Sequence, residues 1–245
     1  MNLWLPLRDY ALGQKEHQGQ ESSEGVGSLF RPTRRHITHS IELNGGPEKT
    51  PDPLAERNSL VKHLTIEQLE AGLEMIRQSP KDNGVLKLLV RRPREGEREV
   101  LEVGKLDLIH GLMGDNWLTR GCSSTPDGSA HPDSQLNIMN FRVIALLAEE
   151  KERWPLAGDQ LYLDLDLSSG NLPPGTRLSL GSAIVEVTAE PHTGCKKFLA
   201  RFGREALKFV NSSLGKQLHL RGINAKVIRP GTIHIGDVVS KIRVS

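Results

Sequence analysis

The chain has 245 residues, with 32 lysines and arginines against 30 aspartates and glutamates, 37% hydrophobic and only 4% aromatic residues. That length suits one large domain with an appendage, the scarcity of aromatics removes base-stacking platforms, and the near-balanced, interspersed charge leaves no basic stripe for a nucleic-acid backbone. Two cysteines in so long a chain exclude a disulfide scaffold and point to a reducing, by default cytoplasmic, compartment; no apolar run spans a membrane, and Met1–Gln20 lacks the continuous apolar core of a signal peptide.

From about Gly13 to Asn58 the composition is Gly, Ser, Glu, Pro, His and Arg, too poor in apolar groups to offset the entropy of ordering. The expected organisation is therefore a disordered tail over 1–58 and one domain over 59–245. Within the tail, Lys49-Thr50 resembles the end of a phosphate loop, but Glu48 stands where that motif needs Gly. His36-x-x-His39 is half a metal site without partners.

Thr65 with Gln68 forms a capping-box signature, and Ile66, Leu69, Leu73 and Ile76 then recur at helical spacing until Ser79-Pro80. Val85–Val90 reads as a strand closed by Arg91-Arg92-Pro93, with Glu99–Val103 as its hairpin partner. Gly111 to Asp133 is too rich in turn residues for regular structure. Leu136, Met139, Val143 and Leu147 share a helical face, predicting a helix across Ser134–Trp154. Leu161, Leu163, Leu165 and Leu167 alternate with Tyr162, Asp164, Asp166 and Ser168, predicting a half-buried strand whose carboxylates face solvent or a rim.

After Asn171-Leu-Pro-Pro-Gly175 come strands at Arg177–Leu180 and Ala183–Thr188, a helix of about four turns over Lys196–Val210, and short strands at Leu218–Arg221, Ala225–Ile228, Thr232–Ile235 and Val238–Val244. Gly-Asp pairs at 114, 158 and 236 read as turn chemistry. Frequent short strands joined by tight turns predict a mainly β fold, a sandwich or closed barrel with a few helices packed around it. No dinucleotide or Walker fingerprint is present, and neither cysteine has a His or Cys at zinc spacing.

The segment carrying most chemistry is Glu190-Pro-His-Thr-Gly-Cys195-Lys-Lys-Phe198. It puts Cys195 at a helix N-terminus, where unsatisfied N–H groups, the helix dipole, Lys196, Lys197 and His192 favour the ionised, nucleophilic thiol. Gly194 lets the backbone turn and leaves room beside the sulfur. The competing reading makes Cys195 a small buried hydrophobe. Cys122 has only Arg120 to fix a thiolate and otherwise reads as packing or a resolving thiol.

The run from Gly158-Asp159 through Asn171-Leu-Pro-Pro-Gly-Thr-Arg-Leu and Ile184-Val-Glu-Val-Thr into Thr193-Gly-Cys-Lys-Lys-Phe, then Leu220-Arg-Gly-Ile-Asn-Ala225 and Gly231-Thr-Ile-x-Ile-Gly-Asp237, resembles the MOSC domain, named for the C-terminus of molybdenum-cofactor sulfurases. The resemblance covers most of 100–244, is densest over 158–239, and is greatest to single-domain members. It implies a MOSC-type β-barrel and a site built on one cysteine, here Cys195, that carries sulfur as a persulfide or ligates molybdenum of a pterin cofactor. Either role implies catalysis, as a sulfurtransferase or as a molybdenum-dependent oxidoreductase acting on N-oxygenated compounds, and a partner, a sulfur donor such as a cysteine desulfurase or a redox protein. No pyridoxal phosphate is expected, because 245 residues leave no room for the sulfurases' desulfurase domain. Many members have Pro before the cysteine; Gly194 stands there in this chain, which implies a more open loop.

A molybdenum cofactor carries a phosphate and a polar pterin, so guanidiniums, amides and N–H donors are needed. Arg201, one and two-thirds turns beyond Cys195, Arg221 beside Gly222, Lys196, His192 and Asn171 are the candidates, each with an ordinary alternative: a solvated helix face for Arg201, a bulge for Arg221, turn chemistry for Asn171, a polar loop for His192. Asn137 and Asn140 are weaker candidates. Two further readings stay open at this point, a non-catalytic module that binds an anionic pterin and a thiol redox switch pairing Cys122 with Cys195.

Overall fold

The computed structural model describes residues 63–122 and 125–242. The expected tail over 1–58, with its His36-x-x-His39 and Lys49-Thr50, lies outside the described residues. The described residues open with α1 (Ile66–Ala71) and α2 (Leu73–Arg77), and Thr65 caps α1 through the full reciprocal capping box with Gln68.

Strands β1 (Gly84–Arg91), β2 (Glu99–Leu101), β3 (Val103–Asp107) and β4 (Gly111–Leu112) follow, then the short α3 (Trp117–Arg120), β5 (Leu136–Asn140), α4 (Phe141–Leu147) and β6 (Leu161–Asp164). The C-terminal half adds β7 (Arg177–Leu180), β8 (Ala183–Val187), α5 (Lys196–Asn211), α6 (Ser213–Gln217), β9 (Ile223–Arg229), β10 (Gly231–His234) and β11 (Val238–Lys241). The large sheet runs β11-β7-β8-β9-β5-β6-β1 and closes on itself through β1–β11, a seven-stranded barrel with β2 added outside on β1. Its pairings are antiparallel except β5–β6. A second, separate sheet is formed by β10-β3-β4, antiparallel throughout.

The core has two compartments. Leu86, Leu89, Ile138, Leu161, Leu163, Val185 and Ala225 fill the barrel. Leu88, Val90, Met139 and Tyr162 form the second compartment outside it with Phe198 and Phe202 of α5. Leu86 and Leu89 both face inward although three residues apart, because the β1–β6 register shifts between Leu86 and Leu88; the bulge resets the alternation. Each fully buried Leu or Ile of this set contributes about 1.5–3 kcal/mol relative to leaving it in water.

Several sequence expectations are corrected. Ser134–Trp154 is not one helix: Leu136–Asn140 is a barrel strand, the helix occupies only Phe141–Leu147, and a 3-10 stretch covers Lys151–Ala157. Leu136 and Ile138 enter the barrel, and Asn140 switches the chain to helix by accepting the Arg142 N–H on its side chain. The strand at Leu161 is buried on both faces, since Tyr162 lies under the helices, and Asp164 is paired with Arg142 at 2.7 Å. Leu218–Arg221 is a turn after α6. The helix from Lys196 is interrupted at Gly203 (φ 84°, ψ 173°), where the His63 ring packs at 2.9 Å from the position a Cβ would take.

Candidate functional site

Cys195 is the N-cap of α5, extended at φ −118°, ψ −179°, with its thiol exposed and no side-chain hydrogen bond to the helix. Because Gly203 breaks the helix, the dipole at Cys195 is that of the stretch 196–202, about two turns rather than four. The loop before it is fixed from the helix itself: Asn211 accepts the Gly194 N–H at 2.9 Å and donates to the Gly194 carbonyl at 3.3 Å. The thiol therefore sits on a tethered turn whose anchor is one residue away.

Beneath that loop lies a buried polar system. Asp159 has no exposed side-chain surface, and Arg221 Nη1 donates to both its oxygens at 3.0 and 2.8 Å while Nη2 donates to the Ala157 carbonyl at 3.1 Å. The Arg221 guanidinium also stands 5.0 Å from the Phe198 ring centroid. His192 Nδ1 is 3.5 Å from Asp159 Oδ1, outside good hydrogen-bonding geometry. Burial, and then the Arg221 and Arg92 charges, hold the His192 imidazole well below its ordinary pKa, so it is neutral at pH 7. Gly222 (φ 112°) permits this packing: a Cβ there would strike the Ile138 carbonyl and stand 3.1 Å from His192 Nδ1.

Arginines surround the Gly158-Asp159 turn. Arg92 Nη1 donates to the Gly158 carbonyl and to Asn137 Oδ1, both at 2.8 Å, and its Nε and Nη2 grip Asp115 at 2.9 and 2.8 Å. Asn137 passes the network to Asn224 at 2.7 Å, which donates to the Glu190 carbonyl. Arg98 Nη2 and Arg201 Nη1 stand 3.5 and 3.7 Å from the point where a Gly158 side chain would begin. Burial lowers the pKa of both, Arg98 further through Arg201 and Arg92, while Cys195 and Tyr162 oppose the shift at Arg201. The Tyr162 phenol, pushed far up by burial, stays protonated and donates to the Trp154 carbonyl at 3.1 Å.

The cluster holds unused donors. Arg98 Nε, Arg221 Nε and Trp117 Nε1 are buried without a hydrogen-bond partner, as are Asn116 Oδ1 and His192 Nδ1. Buried donors are ordinarily satisfied, and leaving one open costs roughly 1–3 kcal/mol.

Of the sequence candidates, His192, Arg201 and Arg221 gather around Gly158-Asp159, and Cys195 lies within electrostatic reach of Arg201. Lys196 is exposed beside the thiol. Asn171 stands apart, donating to the Lys81 and Asp166 carbonyls at 2.9 and 2.7 Å and accepting from Lys241 at 2.9 Å. Asn140 is spent on Ser79 and the Leu165 carbonyl. Arg92, Arg98, Asp115, Asp159 and Asn224 escaped the sequence reading. Of the three Gly-Asp pairs, Asp237 and Asp115 do serve turns, accepting the His234 N–H at 2.7 Å and the Trp117 N–H at 2.9 Å, but Asp115 and Asp159 are also buried partners of arginines, which turn chemistry does not predict. Among the described residues, no group of three or more His, Cys, Asp and Glu is placed to hold a metal ion, and no helix is long and apolar enough to cross a membrane.

A closed seven-stranded barrel with one exposed cysteine on a loop over an arginine-lined end defines the class of protein. Residues 125–240 match the MOSC domain. Solved structures similar to it include the YuaD protein of Bacillus subtilis (18% identity, 66% of this chain and 97% of that chain, TM-score 0.48). YiiM of Escherichia coli is similar at 21% identity over 66% of this chain and 71% of that chain, with TM-score 0.44. YiiM of Geobacillus stearothermophilus is similar at 15% identity over 66% and 74%, with TM-score 0.40. No curated protein matches the sequence significantly.

Proposed function

We propose that the protein binds a molybdenum–pterin cofactor at the Cys195 end of the barrel, with the Cys195 thiolate as a ligand for the metal and Arg98, Arg201 and Arg221 holding the anionic phosphate and pterin. MOSC domains are associated with that cofactor. The observation that carries the reading is the set of unpartnered buried donors, Arg98 Nε at the Gly158 turn, Arg221 Nε at Asp159 and Trp117 Nε1 next to Asp115, together with an uncapped thiol within electrostatic reach of Arg201. A multiply anionic group rich in acceptors fits this donor set, and a soft thiolate suits molybdenum. Bound there, the group would supply two-electron redox chemistry. The chain's own residues would neutralise its charge through the guanidiniums, keep Cys195 on its tethered turn, and hold a proton on one ring nitrogen of the neutral His192.

The exposure of Cys195 favours a second reading, sulfur carriage. The thiolate attacks the outer sulfur of a donor persulfide, a Cys195 persulfide forms, and the donor leaves as a thiolate; delivery to an acceptor reverses the step.

Native mass spectrometry with molybdenum and sulfur analysis decides between them, on protein from a cofactor-producing host. Stoichiometric molybdenum and pterin in wild type, lost in Cys195→Ser, is the expected result. A gain of about 32 Da on wild type alone, without molybdenum, supports sulfur carriage. Neither signal overturns both and returns the site to an anionic-pterin module or a Cys122–Cys195 thiol switch.

A further inference from the structure

Next to the Cys195 loop opens a cleft of about 440 Å³ bounded by β8 and β9, the loop 189–193 and the end of α5 with α6. That volume lies in the range of small-molecule sites, roughly 300–1,000 Å³. Its floor is apolar, with Leu172, Val187, Val210 and Ile223 all buried, so a ligand seated on it gains chiefly by burying a hydrocarbon body.

The polar groups of the wall say what the other end of the ligand must be. Ser169, Thr188, Asn211, His219 and Asn224 all line the cleft, and each spends its side-chain donor on a backbone carbonyl. Apart from the exposed Thr193 hydroxyl, what remains is cationic. Lys216 lines the cleft, exposed, and its ammonium has no ion-pair or hydrogen-bond partner among the described residues. Arg221, whose Nε is buried and unpartnered, stands in the buried wall beside His192. The cleft's one carboxylate, Glu190, faces His131 at 3.8 Å.

We propose that this cleft binds a small organic monoanion with an apolar body, a carboxylate on an aliphatic or aryl frame, seated on Val187, Val210 and Ile223 with its charge toward Lys216 and Arg221. This deepens the reading above by naming the class of substrate presented to the Cys195 loop. Its seat does not include the thiol, and Lys216 and the apolar floor belong to it alone; Arg221 is shared with the cofactor reading, so the seat is tested on protein without cofactor. A cationic analogue meets the same lysine and arginine and is rejected; a neutral one keeps only the apolar contact.

The test is equilibrium binding of three probes to the full chain, prepared without cofactor: 4-phenylbutyrate, 4-phenylbutan-1-ol and 4-phenylbutylamine, followed by heteronuclear NMR or calorimetry. The expected order of affinity is carboxylate, then alcohol, then amine. Lys216→Gln should weaken the carboxylate by roughly three- to ten-fold and leave the alcohol unchanged, as for loss of one partly solvated charge contact. Ala189→Trp, at an exposed position on the cleft lining, should abolish binding of both while the thermal transition stays in place. Cys195→Ser should leave all three affinities as they are, so failure of the cofactor reading and failure of this one are read separately. Absence of binding, an amine that binds as well as the carboxylate, or binding that survives Ala189→Trp overturns the proposal.

Discussion

Arg221→Met removes the guanidinium and keeps most of the side-chain volume, which isolates the charge. Arg221 Nη1 holds both oxygens of a carboxylate with no solvent exposure, and Nη2 holds the Ala157 carbonyl. Breaking a buried pair from one side costs about 3–5 kcal/mol. Burial already pushes the Asp159 carboxyl above its ordinary range, and Arg92 and Arg98 act with Arg221 against that shift, so the two remaining arginines keep the expected loss near the lower bound, about 3 kcal/mol at pH 7. For a domain of this size 1 kcal/mol moves Tm by roughly 2–4 °C, giving a fall of about 6–12 °C in calorimetry. The pH dependence identifies the cause. Without Arg221 the folded Asp159 pKa rises further above its unfolded value, the folded state binds the extra proton between those two values, and stability is regained as pH falls through that window. In a double-mutant cycle, Asp159→Asn should couple to Arg221→Met by about 2 kcal/mol. A loss under about 1 kcal/mol, a deficit that stays constant from pH 7 to 5, or strict additivity would refute the buried-pair argument.

Two other perturbations bear on the same end of the barrel and on its scaffold. His192 is held neutral by burial and by Arg221 and Arg92; the unfolded chain takes up a proton below about pH 6.5 and the folded one does not, so stability should fall by about 1.4 kcal/mol per pH unit below that point. Urea unfolding at pH 7 and 5 should show this slope reduced in His192→Gln, and equal slopes in both proteins would remove His192 as its source. Asn140→Ala discards the cap on α4 and strands the Leu165 carbonyl, while the Ser79 hydroxyl keeps its own bond to the Ile76 carbonyl; about 2–3 kcal/mol is expected by chemical denaturation, more than the ~1 kcal/mol of a cap alone.

How legible this molecule was depends on the range of the interaction that decides each element. Local signals held: the Thr65–Gln68 box caps α1, the alternating Leu, Ile and Val positions of β7 and β8 form the expected strands, and Cys195 does begin a helix. Leu136–Asn140 misled because its apolar spacing fits a helix and a strand alike, and only the pairing with β6 and β9 selects the strand. Tyr162 broke the expected alternation because helices cover the outer face of the barrel, which a single strand's pattern cannot report. In the site, Cys195, His192 and Arg221 were readable from their neighbours in sequence. Asp159 and Asp115 were not, since Gly-Asp is ordinary turn chemistry, and their arginine partners stand 62 and 23 positions away.

The arginine cluster also answers why so much charge is buried at one end of a barrel otherwise filled with Leu, Ile and Val. Ion pairs replaced by apolar groups of similar volume often leave a fold as stable or more so, because desolvation consumes most of the Coulombic gain. Arg98 tests this directly. Its Nε is buried and unpartnered, burial and the Arg201 and Arg92 charges all lower its pKa, and its one hydrogen bond goes to the adjacent Glu97 carbonyl. A residue kept for the fold should be missed when removed. One kept for an anion should not, and Arg98→Met is expected to hold or raise stability, by up to about 1 kcal/mol for a half-buried open donor. Thermal unfolding of the cofactor-free variant reads that effect, and molybdenum content after expression in a cofactor-producing host reads the other half, an expected loss. A destabilisation above about 1 kcal/mol would make Arg98 a structural residue and cost the anion cradle one of its guanidiniums. A stable variant that no longer retains the group shows instead that this end of the barrel trades stability for binding, as sites with unsatisfied buried donors commonly do.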